Sequence, residues 1–280
     1  MREELCKLGA RPSKLDQGVF YFRSAKEIVG IIVLFVDDLL WAGKPTFIQT
    51  INQLKMIFHI GSENASVFKY VGINIEQKED KSIQIHQSSY AESINTIPLC
   101  KEQSTNPHRQ LNENEKHELR SALGQLNWLS NISRPEISFQ VSFLSSNISG
   151  ATINDIKHIN KVIKYVKDNK QCIYFPSLDV PTTKVVMYSD ASFNNLRNGS
   201  SQGAYLVFLV DKYNNSCPIA WKSNKLRRVA RSTLAAETLA FADGCDAAHF
   251  ISQFAQESYL ITSSPVVTNN TYNKTLYENY

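Results

Sequence analysis

Ile28-Val29-Gly30-Ile31-Ile32-Val33-Leu34-Phe35-Val36-Asp37-Asp38-Leu39-Leu40-Trp41-Ala42-Gly43 is the stretch from which the fold is read. Its apolar run predicts a buried strand, Asp37-Asp38 an acidic turn, and Leu39 onward a short returning strand, together a β-hairpin. Phe47, Ile51, Leu54 and Phe58 then recur at helical spacing behind Pro45-Thr46, which predicts a helix. Two adjacent carboxylates repel at short range. A divalent metal removes that repulsion: magnesium takes carboxylate oxygens and keeps water and phosphate oxygens as further ligands. Two such ions can serve phosphoryl transfer. An ordinary exposed Asp-Asp turn is the other reading, and these residues alone leave both open.

Further along, Val71, Ile73 and Ile75 alternate with polar residues, Lys78–Lys81 form a charged turn, and Ile83 and Ile85 resume, predicting a second hairpin. Residues 88–97 read as a short helix with Tyr90, Ile94 and Ile97 on one face. Residues 98–114, with Pro98, Pro107 and many polar side chains, read as a linker or long loop. Three helices are expected next. One covers about 113–130, with Leu119, Leu123 and Leu126; one opens at Arg134-Pro135-Glu136; one opens on the capping-box-like Thr152-Ile153-Asn154-Asp155. From residue 184 the pattern changes to strands at Lys184–Asp190, Gly203–Val210 and Pro218–Trp221. A helix from Ser232 or Thr233 past Phe250 and a strand at Pro265–Thr268 complete an α/β layout.

With 280 residues, 42% hydrophobic and 20% charged, the chain has the composition of a globular protein with room for two modest domains. Val29–Val36, the longest strongly apolar stretch, is too short to span a bilayer. The N-terminus lacks an apolar signal-peptide core, so the expected setting is intracellular, cytoplasmic or nuclear, and not secretory. The five cysteines show no zinc or redox spacing and are expected as reduced, mostly buried thiols. Trp41, Trp128 and Trp221 sit in apolar patterns and are expected in cores. A net charge of +4 permits a nucleic-acid partner without arguing for one. Lys222, Lys225, Arg227, Arg228 and Arg231, however, fall within ten residues with no acid before Glu237. Such a run suits phosphate contacts, or it is a solvated basic loop.

Phe35-Val36-Asp37-Asp38-Leu39 resembles the catalytic hairpin of copia-type reverse transcriptases. Phe68-Lys69-Tyr70-Val71-Gly72-Ile73 resembles the hairpin after the palm. Leu123-Gly124-Gln125-Leu126-Asn127-Trp128 and Ser133-Arg134-Pro135-Glu136-Ile137 resemble the helical segment that follows in the same family. The resemblance implies that Asp37 and Asp38 bind catalytic metal. It also implies that a further palm aspartate, the fingers and the nucleotide-binding elements belong to a part preceding Met1, so polymerisation by this chain alone is not expected.

Val186-Met187-Tyr188-Ser189-Asp190 ends a strand with an acid, and Arg231-Ser232-Thr233-Leu234-Ala235-Ala236-Glu237 begins a helix with another. The alanines leave room for that helix to approach the sheet, and an acid near a helix start is favoured by the dipole. Taken singly, each acid has an ordinary structural reading. Together they resemble the ribonuclease H fold of the same polyprotein, where an Asp, a Glu and a second Asp hold two metals that hydrolyse the RNA of an RNA–DNA hybrid. Asp190 and Glu237 match the first two. At the third position the chain reads Val266-Val267-Thr268-Asn269-Asn270, or Tyr272 in another alignment, and neither supplies a carboxylate.

The resulting expectation is an α/β (α+β) chain with a partial reverse-transcriptase palm over 1–97 and a helical thumb or connection over 98–182. A ribonuclease H-like mixed sheet with helices, truncated at its C-terminus, would cover 183–280. Its expected partners are RNA–DNA hybrid or primer-template nucleic acid. Magnesium or manganese is the parent family's cofactor, with binding weakened here and little or no activity.

Overall fold

A computed structural model describes residues 1–24, 27–59 and 61–258 and the backbone of Thr268–Thr271. The first unit holds α1 (Arg2–Lys7), β1 (Arg11–Pro12), β2 (Val19–Ser24), β3 (Glu27–Phe35), β4 (Asp38–Gly43) and α2 (Ile48–Ile57). Its four strands run antiparallel in chain order. The expected hairpin is present, shifted by one residue: Phe35 pairs with Asp38, so Val36-Asp37 form the turn and Asp38 opens β4. Val36 accepts a left-handed φ of 55° to make that turn, which is unfavourable for a β-branched residue.

Gly30 and Gly43 lie opposite each other in the β3–β4 ladder. A Cβ on Gly30 would come within 2.4 Å of the Phe47 ring, and one on Gly43 within 2.6 Å. Two bare backbones thus form the slot that lets Phe47 bury, beside Phe20, Phe22, Ile32, Ile51 and Leu54. This core places α2 under the sheet and leaves the acidic tip of the hairpin in water.

The third sheet element set begins with β5 (Val67–Tyr70), β6 (Ile73–Gln77) and β7 (Ile83–His86), then α3 (Ser88–Ser93). Val71, expected in a strand, sits instead in the β5–β6 turn with φ 46°, followed by Gly72 at φ 79°. The predicted 88–97 helix stops at Ser93, and Ile94 and Ile97 bury as extended chain. Residues 98–114 are not all loop: α4 (Lys101–Thr105) forms there, capped by the Cys100 side chain and closed by Gln103. Cysteine is a poor cap by composition, which hid this helix.

α5 (Glu113–Ile132) starts on an Asn112–Glu115 capping box. A 3-10 turn at Pro135–Ile137 leads into α6 (Ser138–Ser145), and α7 (Ile153–Asp168) opens on the expected Thr152–Asp155 box. Leu119, Leu123, Leu126, Val141, Ile156, Ile159 and Ile163 form one core with Ala91, Ile94 and Ile97, so it draws on residues either side of position 97. β8 (Ile173–Phe175) then pairs with β7, closing a four-stranded sheet around the whole helical excursion.

The last unit contains β9 (Lys184–Ser192), β10 (Gln202–Val210), β11 (Ser216–Lys225), α8 (Thr233–Glu257) and β12 (Thr268–Thr271). Strand order is β11-β10-β9-β12, the first three antiparallel and β12 parallel to β9. Of the expected strand at Pro265–Thr268, residues 265–267 lie outside the described residues. Ala236, Ala240, Gly244 and Ala248 repeat every four residues along the buried face of α8, and this stripe brings the helix backbone close to β9 and β10. Together the units give a mixed α/β chain with open sheets. Among the described residues no helix is long and apolar enough to cross a membrane. Cys6, Cys100 and Cys172 are exposed, contrary to the expectation of mostly buried thiols.

Candidate nucleic-acid interface

The hairpin tip presents Asp37 and Asp38 in water beside exposed Phe35 and Val36. The β5–β6 hairpin approaches from one side. Burial pushes the Tyr70 hydroxyl up, and the Asp38 carboxylate adds to the shift. The Tyr70 hydroxyl oxygen is buried with no hydrogen-bond partner among the described residues.

Asp190 lies near the end of β9, and Glu237 in the second turn of α8, whose N-terminus is capped by Ser232 accepting from the Ala235 N–H at 3.1 Å. The two acids meet as the sequence implied. Glu237 is buried, at 8% exposure, while Asp190 is exposed. Burial raises the Glu237 carboxyl, the neighbouring Asp190 charge raises it further, and the Ala191 backbone N–H pulls it partly back. A buried carboxylate held against another carboxylate is a site of uncompensated negative charge, which suits a cation.

That geometry has a pH signature. With a native pKa above the ordinary 4.5, the folded state binds the Glu237 proton more tightly than the unfolded chain. Stability from this group is therefore greatest at low pH and falls as pH rises through the raised value. Glu237→Gln removes the dependence: it should be neutral near pH 4 and stabilising at pH 8. Urea denaturation of both proteins across that range checks the sign.

A third carboxylate does not join the pair among the described residues. β12 sets Asn269 opposite Met187, Asn270 opposite Tyr188 and Thr271 opposite Ser189. No group of three or more His, Cys, Asp or Glu side chains converges anywhere in the described residues. Asp37-Asp38, at the tip of the β3–β4 hairpin, and Asp190-Glu237, on β9 and α8, are two separate pairs.

The basic run divides by position. Lys222 lies within β11 and pairs with Asp243 of α8 at 3.8 Å. Lys225 ends β11, and Arg227, Arg228 and Arg231 stand exposed on the loop leading to the Ser232 cap. Exposed positive charge on this loop is thus carried by Arg227, Arg228 and Arg231, with Lys225 half-buried at its start.

One surface was not read from sequence. Trp128, expected in a core, is 40% exposed on α5. It falls off the Leu119–Leu126–Leu129 stripe that buries the helix, and this periodicity could have revealed it. Arg120, Gly124 and Gln125 share the exposed side, and a side chain at Gly124 would meet open space. A mid-helix glycine costs about 1 kcal/mol relative to alanine and here meets no packing demand. Arginine, bare backbone, amide and indole thus share one exposed face of α5.

No protein-family model matches the chain. It is 28% identical over 243 residues to the transposon Ty5-1 protein of Saccharomyces cerevisiae, covering 80% of this chain and 75% of that one. It is 24% identical over 281 residues to the retrovirus-related Pol polyprotein from transposon RE2 of Arabidopsis thaliana, covering 95% of this chain and 19% of that one. Among solved structures, a foamy viral protease-reverse transcriptase in complex with RNA/DNA hybrid aligns over 79% of this chain and 28% of its own, with 16% identity and a TM-score of 0.48. The Ty5-1 relative is thus a transposon protein and the RE2 relative a retrovirus-related Pol polyprotein. This chain is a homologue of the Ty5/copia-type Pol polyproteins, and it spans about a fifth of the length of the RE2 polyprotein.

Proposed function

We propose that the chain is a segment of a copia-type RNA-directed DNA polymerase and ribonuclease H, and that its own role is to hold RNA–DNA hybrid or primer-template duplex without cutting or extending it. The observation that carries this reading is the Asp190–Glu237 pair, set beside a strand that offers amides where a further carboxylate would be needed. Two carboxylates can hold one divalent cation, and Asp190 and Glu237 are the residues that would do so in this unit; Asp37 and Asp38 are their counterpart at the first hairpin. Magnesium or manganese bound there would supply positive charge against a phosphate oxygen. An amide brings no charge to balance a second ion, so two-metal hydrolysis is not supported. Lys225, the exposed cations Arg227, Arg228 and Arg231, and the Trp128 face supply affinity for backbone and bases instead.

The purified chain should bind a labelled RNA–DNA hybrid with strong salt dependence and leave it intact in magnesium or manganese. Metal-dependent cleavage that Asp190→Asn abolishes would overturn the loss of hydrolysis. Absence of hybrid binding at low salt would overturn the binding role.

A further inference from the structure

The first unit and the last have separate apolar cores, with no buried residue in common. Among the described residues, hydrogen bonds between them gather on Glu257, the last residue of α8. The Ser13 hydroxyl donates to Glu257 Oε2 at 2.6 Å, and the Lys14 backbone N–H donates to Oε1 at 2.8 Å. Arg23 Nη2 donates to the Glu257 backbone carbonyl at 2.8 Å. That carbonyl belongs to the helix end, where carbonyls lack intrahelical partners and the dipole is negative, so a guanidinium suits it twice over.

The Ser13 oxygen meanwhile accepts from the backbone N–H groups of Leu15 and Asp16. Its lone pairs are engaged there, its proton is free for the carboxylate, and its position is fixed by its own turn. Ser13 is buried although its surroundings are polar. Burial, and then the Glu257 charge, push the hydroxyl of Tyr21 on the neighbouring strand up to about 12. Beside the clamp lies an open cleft of about 430 Å³ lined by Lys14, Leu15, Arg23, Gln253, Gln256 and Glu257. The junction is therefore open to solvent on that side.

We infer that Glu257 is a latch. It holds the unit bearing Asp37 and Asp38 in fixed register with the helix bearing Glu237, and its loss frees the first unit to move about residues 61–66, which form no regular helix or strand. The latch joins positions 234 to 244 residues apart, so it constrains the chain almost end to end. It stands on contacts within the chain and not on the nucleic-acid reading.

Spin labels on exposed Cys6 in α1 and on a cysteine introduced in the last unit by Tyr213→Cys, at a side chain exposed in the β10–β11 turn, report the relation between the units by pulsed dipolar spectroscopy in a Cys100→Ser, Cys172→Ser, Cys245→Ala background. The expected result is one narrow distance distribution in the parent and loss of that narrow peak in Glu257→Ala. Glu257→Gln, which keeps one oxygen to accept from Ser13 or the Lys14 amide, should retain part of it. Ser13→Ala gives a second, milder route to the same release if Glu257→Ala fails to fold. A broad distribution in the parent, or a narrow peak that survives in Glu257→Ala or, should that variant not fold, in Ser13→Ala, would overturn the inference.

Discussion

Neutralising Lys225, Arg227, Arg228 and Arg231 together will weaken hybrid binding by about a hundredfold at low salt and flatten its salt dependence. Each phosphate neutralised by a cation contributes about −0.9 to the slope of log K against log salt on duplex DNA, so four lost contacts should remove up to roughly 3.6 from the slope. Lys222 provides the internal contrast. Asp243 stands 3.8 Å from its ammonium and already offsets part of its charge, so Lys222→Gln should change the slope by less than any of the loop cations. Filter binding across a salt series, with the same glutamine substitutions singly and together, measures both numbers. Equal effects from all five positions would mean that general charge, and not the loop geometry, sets affinity.

Arg197→Ala should cost about 2–3 kcal/mol of stability, a loss of several degrees in Tm for a chain of this size. Arg197 stands on the loop between β9 and β10, and its Nη1 donates to Asp155 Oδ2 at 2.9 Å and its Nη2 to Oδ1 at 2.5 Å. Asp155 is buried and also closes the α7 capping box through the Thr152 N–H and hydroxyl. Removing the guanidinium leaves that carboxylate buried with only the cap to satisfy it. Burial by itself would raise the Asp155 carboxyl, but hydrogen bonds from Arg197 and Thr152 outweigh it and hold the group below the ordinary range. The stabilisation is therefore present at neutral pH and lost as pH falls through the lowered native value. The gap between parent and Arg197→Ala should accordingly narrow on acidification, as thermal melts from pH 7 to pH 3 would show. A gap that stays constant over that range would place the effect in packing on Phe143, over whose ring the guanidinium also sits.

Local pattern carried much of the fold. The apolar run ending at Asp37-Asp38, the Thr152–Asp155 box and the alanines before Glu237 each announced an element that the structure contains. The misses have physical reasons. Phe20, Tyr21 and Phe22 are all buried, so β2 shows no alternation to read. The hairpin turn moved by one residue because Val36 adopts a backbone angle that valine rarely takes. The Asp190–Glu237 pair was legible through resemblance and small-residue spacing. Trp128 was misread because its apolar neighbours suggested burial while its helical phase pointed outward. The contacts of Arg197 with Asp155 and of Ser13 with Glu257 join residues 42 and 244 positions apart, and no local pattern encodes them.

The pairing of β8 with β7 has a consequence for how this chain folds and how it can be divided. Between His86 and Ile173 the polypeptide leaves the third sheet, builds the helical core and returns to supply the edge strand. Closing so long an excursion is entropically slow unless the helices collapse first and bring its ends together. Severing the chain near residue 97 would strip Ala91, Ile94 and Ile97 of their helical partners and leave Ile83–His86 with unpaired backbone groups. Such an open edge recruits strands from neighbouring molecules. The excised piece would be prone to aggregate, and the helices are thus the chaperone of the sheet that encloses them.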